Sequence, residues 1–221
     1  FVADEIVELL DVPREKLHPV LLGIDPLSQQ PTPESIAAFR AERKLERPYL
    51  LHVGTLEPRK NHALLIDIFD RLDDFDGDLI LAGMNGWKTE PILARIEASP
   101  KRDRIRRLDF VPDADLPTLY AGAELLVFPS LYEGFGFPPL EAMQCGTPVV
   151  ASAAGSLPEV LGEGALLLDH YDPEGWTQAV ASLLSDDVAR EARRAKGLAR
   201  VAEYDWRQTA SQTWDVFRSL Y

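Results

Sequence analysis

The 221-residue sequence predicts an α/β domain built on a doubly wound parallel sheet of about six strands, with helices flanking it at both termini. Three observations carry that expectation. Short apolar runs alternate with segments of helical periodicity, the pattern of consecutive β–α units. The third run is the most charged of the six, while the first and fourth are mostly apolar. Two connecting loops, Gly54–Asn61 and Pro129–Glu141, are the most unusual segments in the chain.

The elements follow in order. Phe1–Leu10 reads as a helix, and Pro19–Asp25 as a short extended segment. Pro26–Pro48 is a proline- and charge-rich connector carrying one helix over Pro33–Arg43. Six apolar runs then predict strands at Tyr49–Val53, Asp78–Ala82, Ile105–Val111, Glu124–Ser130, Thr147–Ser152 and Ala165–Asp169. The clearest intervening helix is Asn61–Leu72, with Leu64, Leu65, Ile68 and Leu72 on one face. The expected strand order is 3-2-1-4-5-6. It puts the charged third strand at an edge, where charge is tolerated, and the apolar first and fourth strands inside, buried on both faces. Residues 1–45 are then the end of an N-terminal region and a connector, 46–185 the Rossmann-like domain, and 186–221 C-terminal helices.

Composition bounds the function. The chain has 46% hydrophobic and 27% charged residues, as an ordinary globular domain does. Its 23 Lys and Arg against 36 Asp and Glu give a net charge of −13, which argues against nucleic acid or anionic lipid as partners. The single cysteine, Cys145, precludes an internal disulfide framework and a Cys-rich metal site. It fits a reducing compartment, so a cytoplasmic location is expected, with the longer protein peripheral at the inner membrane face. No apolar run reaches the length of a membrane span. The chain opens at Phe1 inside a helical pattern, which reads as a piece of a longer protein.

In an open α/β sheet the ligand sits at the carboxyl ends of the strands, where the winding reverses. Here that point lies between strands 1 and 4, so the two unusual loops face it. In the first, Gly54 permits a sharp turn, and Arg59 and Lys60 arrive just before a helix that Asn61 could cap. Two cations beside a helix N-terminus suit a diphosphate. An isolated Arg-Lys pair is more often just solvated surface; its position in an acidic protein turns the balance. In the second loop Gly134 and Gly136 allow close ligand approach, and Pro138 or Pro139 suits a helix's first turn. Glu133 and Glu141 can then face one cleft and accept hydrogen bonds from sugar hydroxyls. Taken alone, either glutamate is more often structural.

Glu133-Gly-Phe-Gly-Phe-Pro-Pro-Leu-Glu141 resembles the E-x7-E motif of the family-four (group 1) retaining glycosyltransferases of GT-B fold. Val53–Asn61, Leu81–Gly83, Gly146–Ser152 and Leu157–Val160 resemble further segments of that family, in order and spacing, and Gly23–Asp25 resembles the segment before its donor domain. The resemblance implies the C-terminal, donor-binding half of such an enzyme, with acceptor recognition in an N-terminal domain of the same protein. It implies a nucleoside diphosphate sugar as donor substrate and partner, no cofactor and no metal. Lys60, helped by Arg59, would hold the diphosphate; Glu141 the ribose; Glu133 the transferred sugar. Backbone around Gly134, Phe135, Gly136 and Phe137 would meet the sugar or distal phosphate, and Val111 would seat the base, with Gly54, Thr55 and Gly83 completing the lining. Glu133, Lys60 and Arg59 are thus the implied catalytic groups. Many members carry an arginine where this chain has Thr55, which puts the phosphate set in question and leaves Arg59 as the substitute. The Gly54–Asn61 sequence resembles bacterial polysaccharide mannosyltransferases, so GDP-mannose is the expected donor.

Two other readings stand beside this one: a sugar-nucleotide-binding module without activity of its own, and a GT-B epimerase, whose acid and base cannot be found here. His18, His52, His62 and His170 lack ligand spacing and read as structural. Trp87 reads as the anchor of the following helix or as the lining of a base or sugar subsite, and Cys145 as a small packing residue. From Asp205 onward, Trp206, Thr209, Thr213, Phe217 and Leu220 recur at helical spacing, as core packing or an exposed apolar face.

Overall fold

The protein is described by a computed structural model over residues 1–220. Six strands form one parallel sheet: β1 (Tyr49–Val53), β2 (Asp78–Ala82), β3 (Ile105–Arg107), β4 (Leu125–Phe128), β5 (Val149–Ser152) and β6 (Ala165–Leu168). Their order is β3-β2-β1-β4-β5-β6, as the charge pattern predicts. The main departure in length is at β3. Asp109 takes φ +29°, in the left-handed region, and turns the chain away after Arg107, so the charged run does not extend to Val111.

Period-two alternation sends successive strand residues to opposite faces. Tyr49 and Leu51 of β1 join one core, with α2 (Pro33–Glu42), α5 (Leu116–Ala121), α6 (Phe137–Gln144), α7 (Leu157–Leu161) and the end of α9 (Asp187–Val201). Leu50 joins the other, with α3 (His62–Arg71), α4 (Glu90–Glu97) and α8 (Pro173–Ser185). Both faces of the sheet are therefore covered, which is why β1, β2 and β4 carry almost no exposed residue. The face of α3 behaves as its spacing requires: Leu64, Leu65, Ile68 and Leu72 are all buried.

The termini complete the molecule. Helix α1 (Val2–Leu10) lies at the start, and α10 (Trp206–Ser219) at the end. The extended segment between α1 and α2 joins no sheet. It runs against the start of α10 and the turn before it: Ile24 N–H donates to the Tyr204 carbonyl at 3.3 Å, and the Thr209 hydroxyl donates to the Leu21 carbonyl at 2.7 Å. No residue of α10 is buried, and Trp214, Phe217 and Leu220 present an exposed apolar face. Trp87 is also exposed, stacking under the Lys88 ammonium rather than anchoring α4; the left-handed Lys88 (φ +51°) separates it from that helix. Cys145 is a buried packing residue whose thiol is pushed up to about 12, chiefly by burial and then by the Glu141 carboxylate. Among the described residues no helix is long and apolar enough to cross a membrane.

Candidate functional site

The winding reverses between β1 and β4, and the loops after these two strands meet there. The β1 loop starts at Gly54 (φ +153°), whose carbonyl sits so close to Gly83 that a Cβ on Gly83 would collide with it. Pro58–Lys60 then makes a single 3-10 turn before α3. The Lys60 side chain runs back past Gly54, where a Cβ would lie 3.3 Å from its Cε, so glycine there leaves room for the lysine as well as for the turn. Asn61 does not cap α3. It adopts the left-handed conformation (φ +53°), whereas a capping residue needs extended backbone to aim its side chain at the first N–H groups.

The β4 loop is held from two sides. On one, Leu131 N–H donates to the Arg59 carbonyl at 2.8 Å. On the other, the loop after β5 grips it: Ser156 donates from both N–H and hydroxyl to the Glu133 carbonyl, each at 2.9 Å, and its hydroxyl reaches the Phe135 carbonyl at 3.1 Å. Gly155 (φ +58°) packs directly on the Glu133 backbone. Gly136 (φ +112°) then starts α6, with Pro138 in its first turn. Gly134 is exposed, and a Cβ on it would touch nothing, so bare backbone faces the solvent.

These constraints bring the predicted charges together more tightly than the sequence suggests. Lys60 Nζ donates to Glu133 Oε1 at 2.6 Å, and Arg59 Nη1 donates to Glu133 Oε2 at 2.8 Å. Lys60 and Glu133 are both buried, at 7% exposure each, and the ammonium also lies 4.9 Å from the centre of the Phe128 ring. Glu133 therefore does not stand apart from the two cations across the cleft but sits directly on them. A desolvated carboxylate beside two cations pairs with them because nothing else nearby can balance its charge.

Glu141 sits in α6, one turn beyond Phe137. Its Oε2 accepts a 2.7 Å hydrogen bond from the Tyr120 hydroxyl, and with Tyr120, Phe137, Asp25 and Asp113 it lines a cavity of about 780 Å³. Burial raises its pKa above the usual carboxylate value, and the charges of Asp113 and Asp25 add to the effect, against the Tyr120 hydrogen bond. Val111 buries its side chain in the core, which leaves only its backbone for a ligand. Thr55 is exposed on the β1 loop, and a Cβ on Gly86 would lie 2.6 Å from its Cγ2.

Beneath the cluster lies a buried histidine pair, ring centres 4.7 Å apart. His52 Nδ1 is 3.0 Å from the Val127 carbonyl, and its ring stacks on Phe128. Burial holds His52 well below its ordinary value, with the charges of His62 and Lys60 acting the same way and the Val127 hydrogen bond opposing. His62 is pushed down to about 4, by burial first and the Lys60 charge further, against the nearby Glu57 backbone and carboxylate. Both are packing residues, and neither lines an open cleft. Three Asp-x-Asp triplets occur. Asp74–Asp76 and Asp76–Asp78 lie at the start of β2, at the opposite end of the sheet, and Asp113–Asp115 lies before α5, where Asp115 pairs with Arg43. Among the described residues no group of three or more His, Cys, Asp or Glu side chains could hold a metal ion.

Nothing in the linear sequence marks Gly155, Ser156, Tyr120 or Glu57 as part of the site. The small-residue run Ser152-Ala-Ala-Gly-Ser156 ahead of Leu157-Pro158 signals a tight turn into a helix, but nothing local says that it grips Glu133.

Fold and loops together define a Rossmann-type domain with a charged crevice at the point where its winding reverses. The chain belongs to the group 1 glycosyl transferases, whose family description matches residues 35–200. It is 36% identical to the O-antigen chain mannosyltransferase B of Escherichia coli, over all of this chain and 59% of that protein, so it spans less than two thirds of that relative's length. In structure it is similar to sucrose-phosphate synthase from Thermosynechococcus elongatus, with a TM-score of 0.79 and 28% identity over 91% of this chain and 52% of that one. Anabaena Alr3699/HepE, solved in complex with UDP and glucose, shares the fold at a TM-score of 0.81 and 23% identity, over 90% of this chain and 56% of that one.

Proposed function

We propose that this chain is the donor-binding half of a retaining glycosyltransferase, transferring a glycosyl group from a nucleoside diphosphate sugar, GDP-mannose, to a saccharide or lipid-linked acceptor held by an N-terminal domain. The observation that carries the reading is the contact between Lys60 and Glu133 across the two loops at the winding reversal. One group suits a diphosphate and the other a sugar hydroxyl, and they lie side by side beside the bare backbone of Gly134. Family membership and the likeness to an O-antigen mannosyltransferase support the reaction and the choice of mannose.

In this reading the ribose hydroxyls donate to Glu141 in the cavity it shares with Tyr120. The diphosphate crosses the Gly136–Phe137 turn toward Lys60, and the sugar lies over Gly134 against Glu133. As the glycosidic bond to the phosphate breaks, negative charge grows on the leaving diphosphate. The Lys60 ammonium and backbone N–H groups, already in place, stabilise that charge without reorganising. The charge stabilisation comes from protein groups, so the reaction takes no metal ion.

Calorimetry with GDP-mannose, GDP, UDP and ADP tests the reading. Binding of a nucleoside diphosphate is expected, with the guanine nucleotide tightest. Absence of binding by all of them would remove the proposal.

A further inference from the structure

Arg59 is the residue of the site whose donors are nearly all engaged. Its Nε and Nη2 both donate to Glu57 Oε1, at 3.1 and 2.7 Å. Its Nη1 donates to the Tyr132 carbonyl and to Glu133 Oε2, each at 2.8 Å. These four contacts leave one guanidinium N–H of five unengaged. Its main chain repeats the tie, because the Arg59 carbonyl accepts the 2.8 Å bond from Leu131 N–H. Lys60 differs. Its ammonium makes one hydrogen bond, to Glu133, and keeps two N–H bonds for another partner.

We infer that Arg59 is a positioning residue, a strut that fixes the Tyr132–Glu133 turn and the Glu133 carboxylate against the β1 loop, and that Lys60 is the cation that meets the diphosphate. A guanidinium is a rigid planar fork, and here its prongs are matched on one side by Glu57 and on the other by the turn. Swinging it toward a phosphate would strand the Glu57 carboxylate, 14% exposed at its side chain, and leave the Tyr132 carbonyl without this partner. A phosphate approaching Arg59 where it stands would also meet the negative charge of Glu57. The position held in many relatives by a phosphate-binding arginine, Thr55 here, is therefore not replaced by Arg59. The strut instead sets the angle at which Glu133 faces the sugar.

This inference rests on the proposed donor site, and its test separates the two. Affinity for GDP, UDP and ADP is measured on the wild type and on Arg59→Gln, Lys60→Gln and Glu57→Gln. The rate of GDP release from GDP-mannose without acceptor is measured in parallel on the full-length protein carrying the same substitutions, and melting temperatures establish that each variant is folded. Arg59→Gln is expected to hold nucleotide affinity and donor KM within about threefold, because the guanidinium side chain is 38% exposed, screened by water and already paired with Glu57, while kcat falls about tenfold or more. Lys60→Gln is expected to lose affinity by about tenfold or more. Glu57→Gln cuts the strut from its other end and is expected to lower kcat in the same direction without weakening GDP. A loss of affinity in Arg59→Gln as steep as in Lys60→Gln would overturn the inference, as would unchanged kcat in both Arg59→Gln and Glu57→Gln. A wild type that binds no nucleotide would fail the donor-site reading itself and take the strut's role with it.

Discussion

Glu133→Gln exposes the competition built into the site. The side chains of Lys60 and Glu133 are 9% and 10% exposed, so water screens neither charge well. The amide keeps the shape of the carboxylate and removes its charge, leaving the Lys60 ammonium buried beside the Arg59 guanidinium. Breaking one side of a buried pair costs about 3–5 kcal/mol. Arg59 retains Glu57 at 2.7 Å, so the lower end, about 3 kcal/mol, is expected. For a domain of this size that corresponds to a melting temperature lower by about 6–12 °C. Nucleotide affinity should move the other way. A carboxylate about 6 Å from a phosphate charge, at an effective dielectric constant of 20, repels it by about 3 kcal/mol. Removing that repulsion, and freeing Lys60, should tighten GDP binding roughly tenfold to a hundredfold. Differential scanning calorimetry and isothermal titration calorimetry on one preparation read both changes. GDP binding that is unchanged or weaker would show that the diphosphate never approaches Glu133. An unchanged melting temperature would show that the buried pair contributes nothing to the fold.

Two further expectations follow from the supports of the site. Gly155→Ala places a Cβ 2.6 Å from the Glu133 carbonyl oxygen and 2.8 Å from its nitrogen, in a left-handed backbone. Conformational cost of about 1–2 kcal/mol and overpacking of about 1–3 kcal/mol should add, so a thermal melt at wild-type temperature would show that the loop yields freely. His62 gives the acid response. Its pKa is near 6.5 when unfolded and about 4 when folded, so between these values only the unfolded chain takes up the proton. Stability is therefore full above pH 6.5 and is lost as the pH falls toward 4, by about 2 kcal/mol at pH 5 from this residue alone. Urea denaturation at pH 8 and pH 5 should show a smaller difference in His62→Leu than in the wild type; equal differences would assign the acid sensitivity elsewhere.

Much of this molecule is legible in the linear pattern. Strand order followed from where charge is tolerated: Arg106 and Arg107 can sit only at an edge, while Leu50, Leu51, Leu125 and Leu126 need cover on both faces. That order alone located the crevice, because the winding must reverse between β1 and β4. The residue types of the two loops, and their resemblance to one family, then pointed to Lys60, Glu133 and Glu141.

Periodicity and desolvation act on residues through their own neighbours and burial, so the sheet, the place where its winding reverses and the candidacy of Arg59, Lys60 and Glu133 can be read along the chain. How their charges are shared cannot, because it depends on the fold. Arg59 and Lys60 are adjacent in the chain and alike in charge, yet one is spent on Glu57, Tyr132 and Glu133 while the other keeps donors free. Glu133 is held by Gly155 and Ser156, from a loop that begins two strands' distance away in the sheet from β1. Pairing among buried charges depends on distances between loops brought together by the packed sheet, and those distances are set by long-range contacts that no local stretch of sequence contains.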